Sequence, residues 1–252
     1  MWTERQTVEI FHLLFLRALG ARVDKTLFAL KGGCNLRFFL KSLRYSEDMD
    51  IDIHTMSVPT LRNNVNRVLE AQTLAQALRA QRIEISRSSA PKQTDTTQRW
   101  KLSLRNVDSG AEAPTRIEFS RRGLSGEAAV EPVDAAITRG YQLYPVLVQH
   151  YTAGAAFAQK VSALALREQV QARDLFDLRL LLDAGGADRP LPAAAARHLD
   201  AAIHNAMTID RNAFVGQVLA YLEPEYQAHY ASRQSWENLQ AEVVTALTNL
   251  QP

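Results

Sequence analysis

Residues 48–53 read Asp-Met-Asp-Ile-Asp-Ile, and this alternation restricts the fold more than any other feature of the chain. Side chains of a β-strand point to opposite faces in turn, so Asp48, Asp50 and Asp52 share one face while Met49, Ile51 and Ile53 share the other and enter a core. Two carboxylates about 4 Å apart repel by roughly 4 kcal/mol at an effective dielectric near 20. Either cations stand close by or one acid keeps its proton. A hard divalent ion, which takes oxygen ligands from one or two carboxylates plus substrate phosphates, is one answer. A solvated strand face with scattered acids is the other, and the strand by itself leaves both open.

The chain around it has the make-up of an ordinary folded protein. Its 252 residues suffice for one large domain or two modest ones, and 46% hydrophobic with 22% charged residues fits a globular chain. A formal net charge of +2 argues for neither nucleic acid nor membrane, so any patch for such a partner is local. With Cys34 as the single cysteine, an intramolecular disulfide and a cysteine zinc cluster are both excluded. The N-terminal apolar stretch is interrupted by Glu4, Arg5, Glu9 and Arg17, and no run of eighteen apolar residues occurs. These features predict a cytoplasmic protein without a membrane span.

Periodicity predicts a helix over 4–20, a strand over 26–30, a helix over 34–43 and the acidic strand over 49–54. One or two helices are expected over 60–81, then three alternating strands at 83–87, 99–105 and 115–121, and a last strand at 144–149. Beyond His150 the chain turns rich in alanine and leucine with helical spacing, broken by Gly-Gly-Ala-Asp-Arg-Pro-Leu-Pro at 185–192. The expectation is an α+β fold: a mixed sheet with helices over 1–145, then a helical subdomain over 146–252.

Gly32 and Gly33 fall between a predicted strand and helix, beside Lys31. Such a turn lets backbone N–H groups approach an anion, with the helix dipole in support. A phosphate-cradling turn followed about fifteen residues later by paired carboxylates describes a site for a metal–nucleoside triphosphate. A third acid from another strand would complete a two-metal site. Glu118 in Arg-Ile-Glu-Phe-Ser is the leading candidate, and Glu84 in Arg-Ile-Glu-Ile-Ser competes with the same local pattern. Further on, Lys160, Arg167 and Asp174 are spaced by sevens, which places them near one face if 160–174 is a single helix. Arg121 and Arg122, with Lys101 and Arg105 on a neighbouring strand, form a candidate basic patch, against which stands an ordinary solvated face.

The stretch Lys-Gly-Gly-Cys-Asn-Leu-Arg-Phe-Phe … Arg-Tyr-Ser-Glu-Asp-Met-Asp-Ile-Asp-Ile resembles the signature of the AbiEii nucleotidyltransferase toxin family, at Lys31, Gly32, Gly33, Ser46, Asp48 and Asp50. Arg-Ile-Glu-Phe-Ser is similar to the strand carrying the family's third acid. Gln159–Leu178 is similar to its second-half motif, at Lys160, Arg167, Arg173, Asp174 and Asp177. The resemblance runs from about residue 10 to 185 and departs from the family at Cys34, where a hydroxyl residue is usual.

The resemblance implies a nucleotidyltransferase-like sheet, with a helical subdomain closing the active-site cleft. It implies Mg²⁺ or Mn²⁺ held by Asp48, Asp50 and Glu118, and a nucleotide site of Lys31, Gly32, Gly33, Ser46, Arg167, Arg173, Asp174 and Asp177. Lys160 would neutralise phosphate charge, with Asp174 and Asp177 orienting it and Arg173. The implied reaction moves a nucleotide from an NTP to an RNA acceptor such as tRNA, in a toxin countered by a cognate antitoxin. A small-molecule nucleotidyltransferase and a catalytically silent nucleotide-binding module are the other two readings.

Overall fold

The computed structural model describes residues 1–251. They gather into two compact units, one of 1–39 with 45–151 and one of 40–44 with 152 onward.

The first unit begins with α1 (Glu4–Arg22). Its start is fixed by a capping box, in which the Thr3 hydroxyl accepts from the Gln6 N–H at 3.2 Å and the Gln6 amide oxygen accepts from the Thr3 N–H at 3.0 Å. There follow β1 (Phe28–Lys31), α2 (Gly32–Phe39), β2 (Asp48–Ile53), α3 (Val58–Leu69) and α4 (Gln72–Ala80). The unit continues with β3 (Ile83–Gln93), β4 (Thr97–Asn106), β5 (Glu112–Ser120), β6 (Ala128–Pro132), α5 (Ala135–Gly140) and β7 (Leu147–Tyr151). The strands form one mixed sheet in the order β3-β4-β5-β2-β1-β7-β6. β2 is its middle strand, antiparallel to β1 and parallel to β5.

The two faces of this sheet have opposite chemistry. Phe28, Leu30, Met49, Ile51, Trp100, Ile117 and Phe119 are all buried in one core with Phe11, Phe15 and Leu16 of α1. Burial of such side chains contributes about 1.5–3 kcal/mol each. The Trp100 indole N–H is satisfied by Asn66 at 2.9 Å. On the other face, the register aligns Lys31 with Asp50, Asp50 with Glu118, and Asp48 with Arg116. The mixed sheet expected from the sequence is present, and the 60–81 segment forms two helices. Other details differ. The helix predicted over 34–43 starts at Gly32 and ends at Phe39, so both glycines lie in its first turn. The last strand runs over 147–151 rather than 144–149, entering after Pro145. Strand β6, a largely exposed edge, was not expected, since Ala-Ala-Val-Glu-Pro carries little apolar alternation.

The second unit holds only helices: α6 (Ala153–Leu166), α7 (Ala172–Asp183), α8 (Ala193–Ala196), α9 (Leu199–Thr208), α10 (Arg211–Gln217), α11 (Pro224–Tyr230) and α12 (Arg233–Asn249), besides a short 3-10 turn. Phe214 is the centre of its aromatic core, 4.8 Å from the Trp236 ring and 6.3 Å from Phe176. Residues 160–174 are not one helix, the condition for Lys160, Arg167 and Asp174 to share a helix face: α6 stops at Leu166 and α7 starts at Ala172. No glycine or proline marks the break. The Ala172 N–H is capped from α10 by the Gln217 side chain at 2.8 Å, a contact that only the folded unit supplies.

Helix α7 ends in a Schellman motif. Gly186 N–H bonds Leu181 C=O at 2.7 Å and Gly185 N–H bonds Leu182 C=O at 3.2 Å, with Gly185 at φ +73°. A Cβ on Gly186 would meet Leu181 O at 2.7 Å, Phe157 Cβ at 3.0 Å and Ala153 O at 3.1 Å. We expect Gly186→Ala to destabilise the protein by about 1–3 kcal/mol through overpacking, read as a lower urea midpoint at unchanged slope. An unchanged midpoint would refute the close packing of this corner.

Candidate active site

The polar face of the sheet is built outward from β2. Asp52 is 3% exposed, and its carboxylate accepts from the Lys31 ammonium at 2.5 Å and from the Tyr151 hydroxyl at 2.7 Å. The Tyr151 oxygen in turn accepts from the Ser125 N–H at 2.8 Å. Burial, first of all, drives the Tyr151 phenol well above its ordinary pKa, so it stays a proton donor to Asp52. Asp52 is therefore a clamp on Lys31, whose side chain keeps 29% of its surface open.

Asp48 and Glu118 are each matched by an arginine. The Asp48 carboxylate lies 2.6 Å from Arg116 on β5, and Glu118 lies 2.6 Å from Arg99 on β4. Asp50 sits between, opposite Lys31 on one side and Glu118 on the other. Gly32, at φ +65°, brings the turn hard against it: a Cβ there would stand 2.9 Å from Asp50 Oδ2. The left-handed backbone and the close approach both require glycine. Glu84 is excluded from this group by register. It belongs to β3, beyond β4 and β5 from β2, and is ion-paired with Arg105.

A buried polar chain supports the start of β2. The Thr115 hydroxyl donates to Glu47 C=O at 2.7 Å, so it accepts the His12 Nε2–H at 2.8 Å. His12 is thus neutral with Nδ1 turned to the Cys34 sulfur at 3.5 Å, and burial lowers its pKa to about 3. Cys34 is 1% exposed and donates to Asp48 C=O at 3.3 Å, where the Ser46 hydroxyl also donates at 2.9 Å. The side chain at position 34 therefore braces the acidic strand from inside. Ser46, expected to hold phosphate, spends its proton on the same carbonyl.

The second unit gathers Lys160, Arg167, Asp174 and Asp177 through the helix break. Lys160 Nζ lies 2.8 Å from Asp174 and 2.6 Å from Asp177, both fully buried. Arg167 reaches Asp174 at 2.8 Å, and Arg44 reaches Asp177 at 3.3 Å. Arg173, expected to be oriented by these acids, is half-buried and pairs with neither among the described residues. Arg44 takes that place, and residue spacing gave no signal for it. Burial pushes the Asp177 pKa up, but Arg44 and then Lys160 outweigh it and hold the acid below the ordinary carboxylate range. Burial likewise acts to lower Lys160, and Asp177 and Asp174 outweigh it, leaving the ammonium above its ordinary value.

Carboxylates on one face of adjacent strands, beside a glycine turn and a clamped lysine, are the equipment of a nucleotidyltransferase. The sequence matches the family "Nucleotidyl transferase AbiEii toxin, Type IV TA system" over residues 14–249, and the chain belongs to that family. Two solved structures share the fold. JHP933 from Helicobacter pylori is 18% identical with a TM-score of 0.65, over 99% of this chain and 93% of that one. A second Helicobacter pylori structure, described as that of a nucleotidyltransferase, is 17% identical with a TM-score of 0.63, over 99% of this chain and 96% of that one. No curated protein matches the sequence. Among the described residues no helix is long and apolar enough to cross a membrane.

The donor set fits a hard divalent ion in chemistry: three carboxylates in ladder register on one face, with Asp48 and Glu118 about a third and a quarter exposed. As placed, no three acid, histidine or cysteine side chains converge on one point among the described residues, since Asp48 and Glu118 turn to their arginines. An entering cation would take both from Arg116 and Arg99.

Asp177 stabilises the fold above its unfolded pKa near 4, and this contribution drains away as pH falls through its lower native value. The Lys160 contribution is complete at neutral pH and is lost only as pH rises through its raised native value. Asp177→Asn is expected to cost about 3–5 kcal/mol near neutrality, with the gap to wild type closing in acid. Chemical denaturation across pH checks this, and a gap that stays constant below about pH 4 would count against it.

Proposed function

We propose that the protein transfers a nucleotide from an NTP to an RNA acceptor, with Mg²⁺ or Mn²⁺ held by Asp48, Asp50 and Glu118. The observation that carries the reading is the rung Lys31–Asp50–Glu118, flanked by Asp48 and abutted by Gly32. Bound there, a divalent ion supplies Lewis-acid polarisation and neutralises phosphate charge. The chain's own groups do the rest. Lys31, fixed by Asp52 and Tyr151, offers its exposed ammonium to phosphate oxygens, and the first N–H groups of α2 at Gly32 and Gly33 bind a second set.

In the helical unit, Arg44, Lys160 and Arg167 set three positive charges against the two of Asp174 and Asp177, leaving +1. That balance suits a phosphate rather than a metal ion. Asp174 and Asp177 thus serve as orienting groups for Lys160. Membership of a type IV toxin family supports a toxin role and an antitoxin partner.

Asp50→Asn keeps the shape of the side chain and removes the charge. The protein would be incubated with each labelled triphosphate, Mg²⁺ and an RNA pool, and Mn²⁺ binding followed separately by paramagnetic resonance. We expect label in RNA with wild type, a loss of at least about a hundredfold in the variant, and weakened Mn²⁺ binding. Label in a small acceptor instead of RNA, or full transfer by Asp50→Asn, would overturn the reading.

A further inference from the structure

The polar face does not end at the carboxylates. Following the register outward from β2, one row reads Asp50, Glu118, Arg99, Lys92 and the next reads Asp48, Arg116, Lys101, Ser89. Each row changes from acidic to basic as it leaves the middle of the sheet. Two cross-strand pairs in these rows carry like charge, Lys101 opposite Arg116 and Lys92 opposite Arg99. Like charges directly opposite on a sheet are destabilising, so folding alone does not favour them. Arg116 and Arg99 are matched by Asp48 and Glu118. Lys101 and Lys92 are exposed and join no ion pair among the described residues.

We propose that this basic strip of β4 and β3 docks the phosphate backbone of the RNA acceptor, delivering its reactive end to the carboxylates of β2. The proposal rests on the RNA-acceptor reading above and adds the surface that holds the acceptor. At strand spacings of about 4.8 Å, the strip lies roughly 10–14 Å from β2, a few nucleotides from the reacting end. Charge complementarity selects the occupant, because the strip is continuous with the row that ends in Asp50. No residue of β3 is aromatic, and the one aromatic residue of β4, Trp100, is buried in the core. With no stacking platform, the contact is to phosphates and carries no base sequence. Of the candidate patch Arg121, Arg122, Lys101 and Arg105, Lys101 belongs to this strip and Arg122 is exposed, but the other two are engaged elsewhere. Arg105 is neutralised by Glu84, and Arg121 is spent on Asp95 C=O, Gln98 and Met56 C=O.

The test is binding of fluorescently labelled total tRNA by anisotropy, for wild type, Lys92→Glu/Lys101→Glu, and the control Arg62→Glu/Arg79→Glu. The control makes the same charge change on exposed positions of α3 and α4, which pack on the core side of the sheet. We expect the strip variant to lose at least about tenfold in affinity, and its log–log salt slope between about 50 and 200 mM to fall by about 1.4–1.8. The control should stay within about twofold of wild type, and triphosphate affinity should be the same in all three. Equal losses in strip variant and control, or none in either, would overturn the proposal. So would a strip variant that loses binding to polyglutamate but not to tRNA, which marks an acidic protein as the occupant. Transfer to RNA undiminished in the strip variant would sink the surface and leave the acceptor reading standing. Binding as expected with no label ever entering RNA would sink the acceptor reading instead.

Discussion

The middle strand of the sheet puts three carboxylates on one face, and everything around it answers that charge. Asp52 is met by Lys31 of β1 and Tyr151 of β7, and Asp48 by Arg116 of β5, while Glu118 of β5, opposite Asp50, is met by Arg99 of β4. None of these cations is local in sequence to the acid it serves. The polar face is therefore assembled only when the strands are in register. A slip of one residue would turn the acids into the core and the isoleucines to water.

The alternation of 48–53 was legible because its period is local, and so was the choice of core face. The choice between Glu118 and Glu84 was not, since both sit in the same Arg-Ile-Glu pattern. Only strand order separates them: β5 lies against β2 while β3 lies at the sheet edge. The helix break before Ala172 was hidden for a related reason, because the group that caps it, Gln217, is 45 residues away. Tyr151 and Arg44 escaped notice because a lone tyrosine at a strand end and a lone arginine in a loop have no pattern until their partners are placed. Local periodicity reaches the sheet; pairing across it does not follow from periodicity.

The family's usual hydroxyl after the glycines is replaced here by Cys34, and the structure gives the replacement a local sense. The residue points inward, toward the carbonyl of Asp48 and the ring of His12. A small donor suffices there. Backbone N–H groups of the glycine turn are untouched by the exchange, so the phosphate binding proposed for them does not depend on it.

The two groups of acids differ most in burial, and that difference sorts their roles. Asp174 and Asp177 have no exposed surface and hold Lys160 and two arginines in short contacts. Removing one such partner leaves an uncompensated charge in a low-dielectric setting, so these pairs do not exchange readily with a dissolved ion. Asp48 and Glu118 keep 32% and 26% of their side-chain surface, and their arginines 36% and 29%. Partly exposed pairs of this kind are worth about 0–1 kcal/mol, little enough for a divalent ion to displace. On the proposed reading, an ion at these acids would free Arg116 of β5 and Arg99 of β4, whose rows lead outward to Lys101 and Lys92. Pairing with Asp48 and Glu118 offsets the like-charge contacts that Arg116 and Arg99 make with Lys101 and Lys92.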